Sequence, residues 1–278
     1  MMRVWQDGRL IAQEEAHVGI ADRGLLLGDG LFETMAVYNG RVFDLDAHLG
    51  RLAIGLGVLG FAADIAKLRA GIAHYLVSEA ASSGVLRVTV TRGAGPRGLA
   101  PPQAPRPAIF MTLAPMPPAR ETPVSLHIAT VTRRNEQSPL SRVKALPYLD
   151  NVLALSEALA HGAGDALMLN TRGTIACASA ANVFAIRDGR LETPPISDGA
   201  LPGTMRALVL SLAEQAGLAP VETSLDLNSL AGADHVFLTN SVSRVTEARQ
   251  CNDAPLQRRA GAALDRLRAL IAARFDAA

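Results

Sequence analysis

The chain has few of the residues that cross-link small domains. Its two cysteines, Cys177 and Cys251, lie far apart and form no CxxC spacing. Such a pair supports neither a disulfide framework nor a zinc site. We therefore expect two free thiols and predict no metal site.

The chain also lacks an excess of one charge and any long apolar run. It carries 27 basic and 26 acidic residues without a Lys/Arg run, so nothing indicates a nucleic-acid or anionic-lipid surface. No apolar stretch reaches the roughly 18 residues of a membrane span, and the N-terminal segment has no signal-peptide apolar region. We expect a cytoplasmic protein whose partner is a small molecule, not nucleic acid or a membrane.

The length of 278 residues suits two domains of ordinary size. The proline-rich segment APMPPARETP favours extended backbone and cannot continue a helix or a central strand. We predict a smaller N-terminal α+β domain over residues 1–116, a linker over 117–123, and a larger C-terminal domain over 124–278 that contains Lys144.

Turn pairs and apolar periodicity predict the elements. Tight hairpins are expected at Asp7-Gly8, Asn39-Gly40 and Asp188-Gly189. Leucine spacings of four and three predict a helix from Leu45 to Phe61. Further helices are predicted over Ile65–Ala81, Leu149–His161, Met205–Ala216 and from about Leu256. Further strands are predicted at VLRVTVTRG, AIFMTLA, SLHIATV, DALML, ACASAANVFAI and HVFLTN.

Lysine is scarce, and Lys144 lies in SPLSRVKALPYLDNV just ahead of an apolar helix. It is either a surface lysine or a partly desolvated one, whose lowered pKa would allow a Schiff base with a carbonyl. LPGTMR places Gly203 and Thr204 at a helix start, which suits an ordinary cap on Thr204 or a phosphate site. These residues alone leave both alternatives open.

Three other positions carry weaker signals. Asn240 and Ser241 follow a strand in TNSVSR, as a binding loop or a plain turn. Arg97, in the Gly-rich loop after VTVTRG, has a donor fork that suits a carboxylate. Arg51 lies off the leucine stripe of its helix, so periodicity predicts a solvated charge. The small residues of GTIACASAANVF either let two layers approach closely or leave room for a bound group.

Taken in order, these motifs resemble the fold type IV pyridoxal phosphate enzymes, the class IV aminotransferase family. The resemblance covers nearly the whole chain, through ADRGLLLGDGLFET, DAHLGRL, TRGAGPRG, SRVKALPYLDNVLA, GTIACASAANVF, LPGTMR and FLTNSVSRV. It implies a D-amino acid aminotransferase-like fold with α+β and α/β character in two domains. It also implies pyridoxal 5′-phosphate at the domain interface, an amino substrate and a homodimer.

The resemblance assigns roles to individual residues. It implies that Lys144 holds the cofactor as a Schiff base and moves protons, and that Arg51 binds the phosphate, which replaces the expectation from periodicity. The other cofactor-binding positions that it implies are Cys177, Gly203, Thr204, Asn240 and Ser241. Phe32 and Arg97 are the implied substrate-binding residues.

Local details resemble the 4-amino-4-deoxychorismate lyases of this family. The segments TRGAGPRGLAPP and RRN and the Asn-Ser pair of TNSV look like theirs. D-Amino acid aminotransferases usually have tyrosine where this chain has Phe32 and histidine where it has Leu99. Branched-chain enzymes usually have tyrosine at the position of Leu149. Arg97 is then the candidate anchor for a substrate carboxylate.

Cys177 departs from the pattern of all three groups, which usually carry a glutamate there, facing the pyridine nitrogen. That carboxylate keeps the ring an electron sink, and a neutral thiol of unperturbed pKa roughly 8.5 does not replace it at pH 7, although a thiolate would. Weaker carbanion stabilisation penalises transamination more than elimination.

We therefore predict a lyase that converts 4-amino-4-deoxychorismate to 4-aminobenzoate and pyruvate. The alternatives are an aminotransferase acting on D-amino or branched-chain amino acids and a non-catalytic relative.

Overall fold

The computed structural model describes residues 3–118, 123–259 and 262–276, and it divides into two compact units. The first unit runs to Pro117 and also includes Val143–Pro147. The second unit comprises Pro118–Arg142 and the chain from Tyr148 onward. Residues 119–122 of the predicted linker lie outside the described residues.

The placement of Lys144 differs from the sequence-based division, because the structure groups this residue with the first unit. Backbone pairing is the reason. Leu31 forms an antiparallel bridge to Ala145, and the Phe32 amide donates to the Lys144 carbonyl over 2.9 Å. The segment around the lysine therefore extends the sheet of the first unit.

The first unit is a six-stranded antiparallel sheet with helices against it. The strands are β1 (Arg3–Gln6), β2 (Arg9–Ala12), β3 (Gly30–Tyr38), β4 (Arg41–Val42), β5 (Ser83–Thr91) and β6 (Ala108–Ala114). Their order in the sheet is β2-β1-β6-β5-β3-β4. The helices are α1 (Arg23–Leu27), α2 (Leu45–Leu59) and α3 (Ile65–Ser78). The leucine stripe of α2 is buried against this sheet, through Leu49, Leu52 and Leu56.

The second unit is a nine-stranded mixed sheet with its own helices. Its strands are β7 (Val124–Ile128), β8 (Asp165–Leu169), β9 (Ile175–Ala178), β10 (Asn182–Arg187), β11 (Arg190–Thr193), β12 (Ala219–Glu222), β13 (His235–Asn240), β14 (Arg244–Cys251) and β15 (Ala254–Pro255). Their order is β12-β11-β10-β13-β14-β7-β8-β9, with β15 on β14. The helices are α4 (Leu149–Ala160), α5 (Thr204–Leu212), α6 (Leu227–Ala231) and α7 (Ala262–Asp276).

The three predicted hairpin turns are confirmed. Asp7-Gly8, Asn39-Gly40 and Asp188-Gly189 have positive φ at both residues, which a type I′ turn requires. Two other predictions are wrong in part. ACASAANVFAI is not one strand, because a turn at residues 179–181 separates β9 from β10, and the C-terminal helix is described from Ala262, not from Leu256.

Small side chains let α4 lie close to β8 and β9. Ala154 and Ala158 of the helix share one buried cluster with Ala166, Ala176 and Cys177 of the strands. The close-approach interpretation of GTIACASAANVF therefore holds for its first half. Room for a bound group remains a prediction.

Both cysteines are free thiols, as predicted. Within the described ranges, no helix is long and apolar enough to cross a bilayer. In the same part of the chain, His, Cys, Asp and Glu form no group of three or more that could hold a metal ion.

Candidate functional site

Lys144 in the first unit is half-buried beside an aromatic ring. Its Nζ lies 4.3 Å from the centroid of the Phe32 ring. Burial and the positive charges of Arg51 and Arg87 lower the pKa of Lys144 to about 8, against the opposing charge of Glu33. An appreciable fraction of the amine is then neutral near physiological pH, and the neutral amine is the nucleophile and the base. The structure supports the desolvated interpretation of this lysine.

Arg51 is held by a buried carboxylate, so the solvated charge expected from periodicity is wrong. Its Nε donates to Glu33 Oε1 over 2.8 Å and its Nη2 to Glu33 Oε2 over 2.5 Å. His48 Nδ1 lies 2.8 Å from the same Oε2. Burial opposes ionisation of Glu33, but the bonds from Arg51 and His48 outweigh it, so the pKa of Glu33 is lowered. This network fixes the orientation of the Arg51 guanidinium.

Sequence reasoning missed Arg87, which lies over Phe32 with its Cζ 4.0 Å from the ring centroid. The register of β3 and β5 explains the contact, because Phe32 pairs with Thr89 and Thr34 pairs with Arg87. Residues two apart on a strand share a face, so Phe32 and Arg87 meet diagonally. A charged residue between the buried Leu86 and Val88 was the available signal.

Arg97 lies on the loop between β5 and β6 and is exposed. Among the contacts given for Lys144, none involves Arg97. Its role as a carboxylate anchor therefore remains a prediction.

The second unit brings two predicted hydroxyls together at the start of α5. Thr204 Oγ1 lies 3.3 Å from Ser241 Oγ. Gly203 is the N-cap of this helix and Thr204 its first residue, so the alternative with Thr204 as cap is wrong. A β-carbon at Gly203 would lie 2.1 Å from Asn182 Oδ1, which explains the glycine. Helix N-terminal amides and two hydroxyls are donors that suit a phosphate.

Asn240 at the end of β13 holds the turn that carries Ser241. Its Oδ1 accepts from the amides of Val242 over 3.0 Å and Ser243 over 2.7 Å, and its Nδ2 donates to the Ala180 carbonyl over 3.4 Å. The plain-turn interpretation therefore describes Asn240 well. Its side chain positions Ser241 through the backbone.

Cys177 is buried on β9, opposite Met168 of β8. Burial raises the pKa of its thiol; the positive charge of Arg134 opposes this, and the negative charge of Asp165 adds to it. The thiol is therefore neutral at pH 7. The thiolate alternative left open by the sequence has no support from this environment.

Most of the predicted residues thus fall into one group in each unit, and Arg97 and Cys177 lie outside these groups. In the first unit Lys144, Phe32 and Arg51 share a cluster with Glu33, His48 and Arg87, and Arg97 stands on a separate loop. In the second unit Gly203, Thr204, Asn240 and Ser241 surround the start of α5, and Cys177 lies on β9.

Comparisons with known sequences agree on one family. The sequence model described as Amino-transferase class IV matches residues 30–251. A putative branched-chain-amino-acid aminotransferase of Methanocaldococcus jannaschii is 32% identical over 247 residues, which cover 88% of this chain and 86% of that protein. A D-alanine aminotransferase of Bacillus licheniformis is 29% identical, with the same coverage of 88% and 86%.

Solved structures show the same fold. The 4-amino-4-deoxychorismate lyase of Pseudomonas aeruginosa superposes with a TM-score of 0.87 at 33% identity, over 96% of this chain and 97% of that one. The branched-chain aminotransferase of Escherichia coli gives a TM-score of 0.91 at 24% identity, over 99% and 94%, and supports the fold alone. The predicted fold class is therefore confirmed. The chain belongs to the class IV aminotransferase family, whose members use pyridoxal 5′-phosphate as cofactor.

Proposed function

We propose that the protein is a pyridoxal phosphate-dependent lyase that converts 4-amino-4-deoxychorismate to 4-aminobenzoate and pyruvate, as a homodimer in the cytoplasm. The observation that carries the proposal is the buried, neutral thiol of Cys177. The raised pKa of this thiol removes the thiolate that would have served in place of a carboxylate.

The residues present fit the cofactor. Lys144 supplies an amine of lowered pKa for its aldehyde. Arg51 of the first unit has a guanidinium that suits a phosphate. In the second unit the start of α5, with Thr204 and Ser241, has helix amides and hydroxyls that also suit a phosphate. Cys177 would face the ring nitrogen. When bound, pyridoxal phosphate withdraws electrons from the substrate bonds next to the amine, most strongly when its ring nitrogen is protonated.

Lys144 is the proton-transfer group of the proposed reaction. Its pKa of about 8 lets the amine remove the proton from the amine-bearing carbon and hold it. Arg51 and Arg87 disfavour the charged form of the lysine, whereas Glu33 favours it. We assign Arg87 to a substrate carboxylate, because its guanidinium lies over the same Phe32 ring as the Lys144 amine.

The neutral thiol favours elimination over transamination. Both reactions start with removal of the same proton. In the elimination, the electron pair left on carbon forms the new ring double bond and the carbon–oxygen bond to the side chain breaks. The enolate of pyruvate leaves as the ring becomes aromatic, and it takes up a proton to give pyruvate. Transamination instead requires the electron pair to remain delocalised until a proton is added to a different carbon. A neutral thiol at Cys177 does not stabilise the delocalised pair as a carboxylate would. The rate of transamination should therefore be lowered more than the rate of elimination.

Relatives support both the proposal and its alternative. The Pseudomonas aeruginosa lyase is 33% identical over nearly the whole chain. The Methanocaldococcus jannaschii protein, 32% identical, favours a branched-chain aminotransferase. An amino acid donor and a keto acid acceptor would then replace the single substrate of the lyase.

The two activities separate in one assay series on the wild-type protein. Incubation with 4-amino-4-deoxychorismate should release 4-aminobenzoate and pyruvate in equal amounts without any keto acid. D-Alanine, leucine or valine with 2-oxoglutarate should give little glutamate. Keto-acid-dependent glutamate formation without 4-aminobenzoate release would contradict the proposal and establish the aminotransferase.

A further inference from the structure

One buried arginine of the first unit holds the loop between β5 and β6. The side chain of Arg23 is 5% exposed. Its Nη1 donates to the carbonyls of Gly98 over 3.1 Å and Ala100 over 3.2 Å, and its Nη2 donates to the carbonyl of Leu99 over 3.0 Å. Three successive carbonyls of an otherwise exposed loop thus share one guanidinium, directly after Arg97.

The same loop lies tightly against the aliphatic part of this arginine. A β-carbon at Gly95 would lie 2.8 Å from Arg23 Cδ, and one at Gly93 would lie 1.9 Å from the Arg106 carbonyl oxygen. The Arg23 amide donates to the Gly93 carbonyl over 2.9 Å, and the Gly95 amide to the Ala21 carbonyl over 3.2 Å. The base of the loop is therefore fixed by backbone contacts, whereas residues 98–100 are fixed by the Arg23 side chain.

Asp29 orients Arg23 and a second arginine through a single oxygen. Its Oδ2 accepts from Arg23 Nε over 2.8 Å and from Arg92 Nε over 2.7 Å. Burial opposes ionisation of Asp29, but the bonds from Arg92 and Arg23 outweigh it, so the pKa of Asp29 is lowered. The carboxylate is thus charged and holds both guanidinium groups.

The second arginine serves a different element. Arg92 Nη2 donates to the Leu59 carbonyl over 2.6 Å and Nη1 to the Gly60 carbonyl over 3.3 Å. These carbonyls end α2, the helix that carries Arg51. One carboxylate therefore orients two arms: Arg23 for the loop and Arg92 for the helix.

The loop and the Lys144 segment are anchored at the same end of the sheet. Thr91, the last residue of β5, pairs with Gly30, and the Leu146 amide donates to the Gly30 carbonyl over 3.0 Å. Gly28 also lies against this segment, since a β-carbon there would come 2.6 Å from Pro147 Cγ. Asp29 thus stands between two glycines that contact the Lys144 segment.

We propose that Arg23, oriented by Asp29, is a positioning residue that fixes the loop of residues 94–107 for contact with the substrate. This inference rests on the proposed function and on the expectation from the sequence that Arg97 of that loop meets a substrate carboxylate. Arg92 fixes the cofactor side through α2. The two arms should therefore affect different kinetic constants.

The first measurement is tryptic cleavage of the holoenzyme after Arg97, followed by mass spectrometry. Arg23→Met keeps the aliphatic packing but loses every donor, so cleavage should accelerate about tenfold or more as residues 98–100 come free. Arg23→Lys keeps the charge beside Asp29 and should fall between Arg23→Met and wild type. Arg3→Met, which removes a surface pair with Glu79, is the control and should cleave at the wild-type rate.

The second measurement separates the two arms. Arg23→Met should raise the KM for the substrate by about tenfold or more while kcat falls less than about threefold, because misplaced binding groups act on substrate capture. Arg92→Met should instead weaken cofactor retention on dialysis and leave the KM of the reloaded enzyme near the wild-type value.

The outcomes distinguish the two proposals. Unchanged cleavage in Arg23→Met, or faster cleavage with unchanged KM for whichever substrate the wild type turns over, overturns the role of Arg23. Wild-type protein that transaminates but releases no 4-aminobenzoate overturns the proposed function. The KM of Arg23→Met is then measured for the amino acid substrate instead. If the wild type turns over neither substrate, cleavage of the holoenzyme after Arg97 is compared with and without 4-amino-4-deoxychorismate. Equal cleavage in the two samples overturns the proposal that the loop contacts the substrate.

Discussion

A buried carboxylate of the first unit and a buried thiol of the second unit are held in opposite charge states by their surroundings. In the first unit a buried carboxylate, Glu33, is hydrogen-bonded by Arg51 and His48, and it stays charged. In the second unit a buried thiol, Cys177, has no comparable hydrogen-bonded cation among its described contacts, and burial keeps it neutral. A charged carboxylate thus orients the guanidinium of Arg51 in the first unit, whereas the thiol of Cys177 in the second unit carries no charge.

Loss of the lysine amine in the first unit should have the largest effect. Lys144→Ala should lower the turnover of 4-amino-4-deoxychorismate at least about 10⁴-fold, because it removes both the covalent anchor and the proton-transfer group. Lys67→Ala on α3, an exposed position, is the matched control and should retain activity. Steady-state assays check both, and a Lys144→Ala enzyme within tenfold of wild type would contradict the assignment.

Removal of the buried carboxylate should destabilise the first unit. Glu33→Gln leaves Arg51 and His48 without their charged partner, which should lower the free energy of unfolding by about 3 kcal/mol. The pKa of Glu33 is lowered from 4.5 in the folded protein, so its contribution is present above pH 4.5 and is lost as the pH falls through the lowered value. The difference in free energy of unfolding between the wild type and Glu33→Gln should therefore decrease as the pH falls through the lowered pKa of Glu33.

Urea unfolding at several pH values measures this effect. Asp46→Asn, which breaks a pair with Arg69 on the surface, should change stability by less than about 0.5 kcal/mol. Equal losses in the two variants would show that Glu33 is not a buried anchor.

The hydroxyl pair of the second unit should contribute to cofactor affinity. Thr204→Val keeps the shape of the side chain but removes a donor to a charged phosphate, which should weaken cofactor binding about tenfold. Equilibrium dialysis measures the affinity. Thr223→Val, at a half-buried position after β12, is the control, and equal affinities for the two variants would remove Thr204 from the site.

The smallest expected change is a shift in the titration of Lys144. Arg87→Met removes a positive charge that lowers the pKa of this lysine, so the pKa should rise above about 8. Acylation of the apoprotein across the pH range, quantified by peptide mass spectrometry, reports it, with Lys67 as an internal reference. A midpoint that stays constant or moves to lower pH would contradict the electrostatic account.

Local sequence patterns predicted the positions of strands better than the contacts between different elements. The strands AIFMTLA, DALML and HVFLTN coincide with β6, β8 and β13, because short apolar runs ended by turn residues need no tertiary information. The break between β9 and β10 escaped prediction, since it depends on Asp165 of another strand, whose Oδ1 accepts from the Ser179 hydroxyl over 2.5 Å.

The site was accessible from the sequence mainly through the family resemblance. Periodicity gave the wrong environment for Arg51, because its partner Glu33 comes from a strand 18 residues away in the chain. Arg87 escaped because its contact with Phe32 depends on strand register. Neither the burial of Lys144 nor that of Cys177 can be read from residue types, since both follow from the packing of whole elements.

The most direct test of the central claim is the ratio of 4-aminobenzoate release to amino transfer in Cys177→Glu, with Cys177→Ser as the neutral control. A carboxylate on β9 should raise amino transfer relative to elimination by about tenfold or more, about 1.4 kcal/mol of differential stabilisation, whereas the serine variant should keep the wild-type ratio. A ratio that stays constant or moves towards elimination in Cys177→Glu would contradict the account.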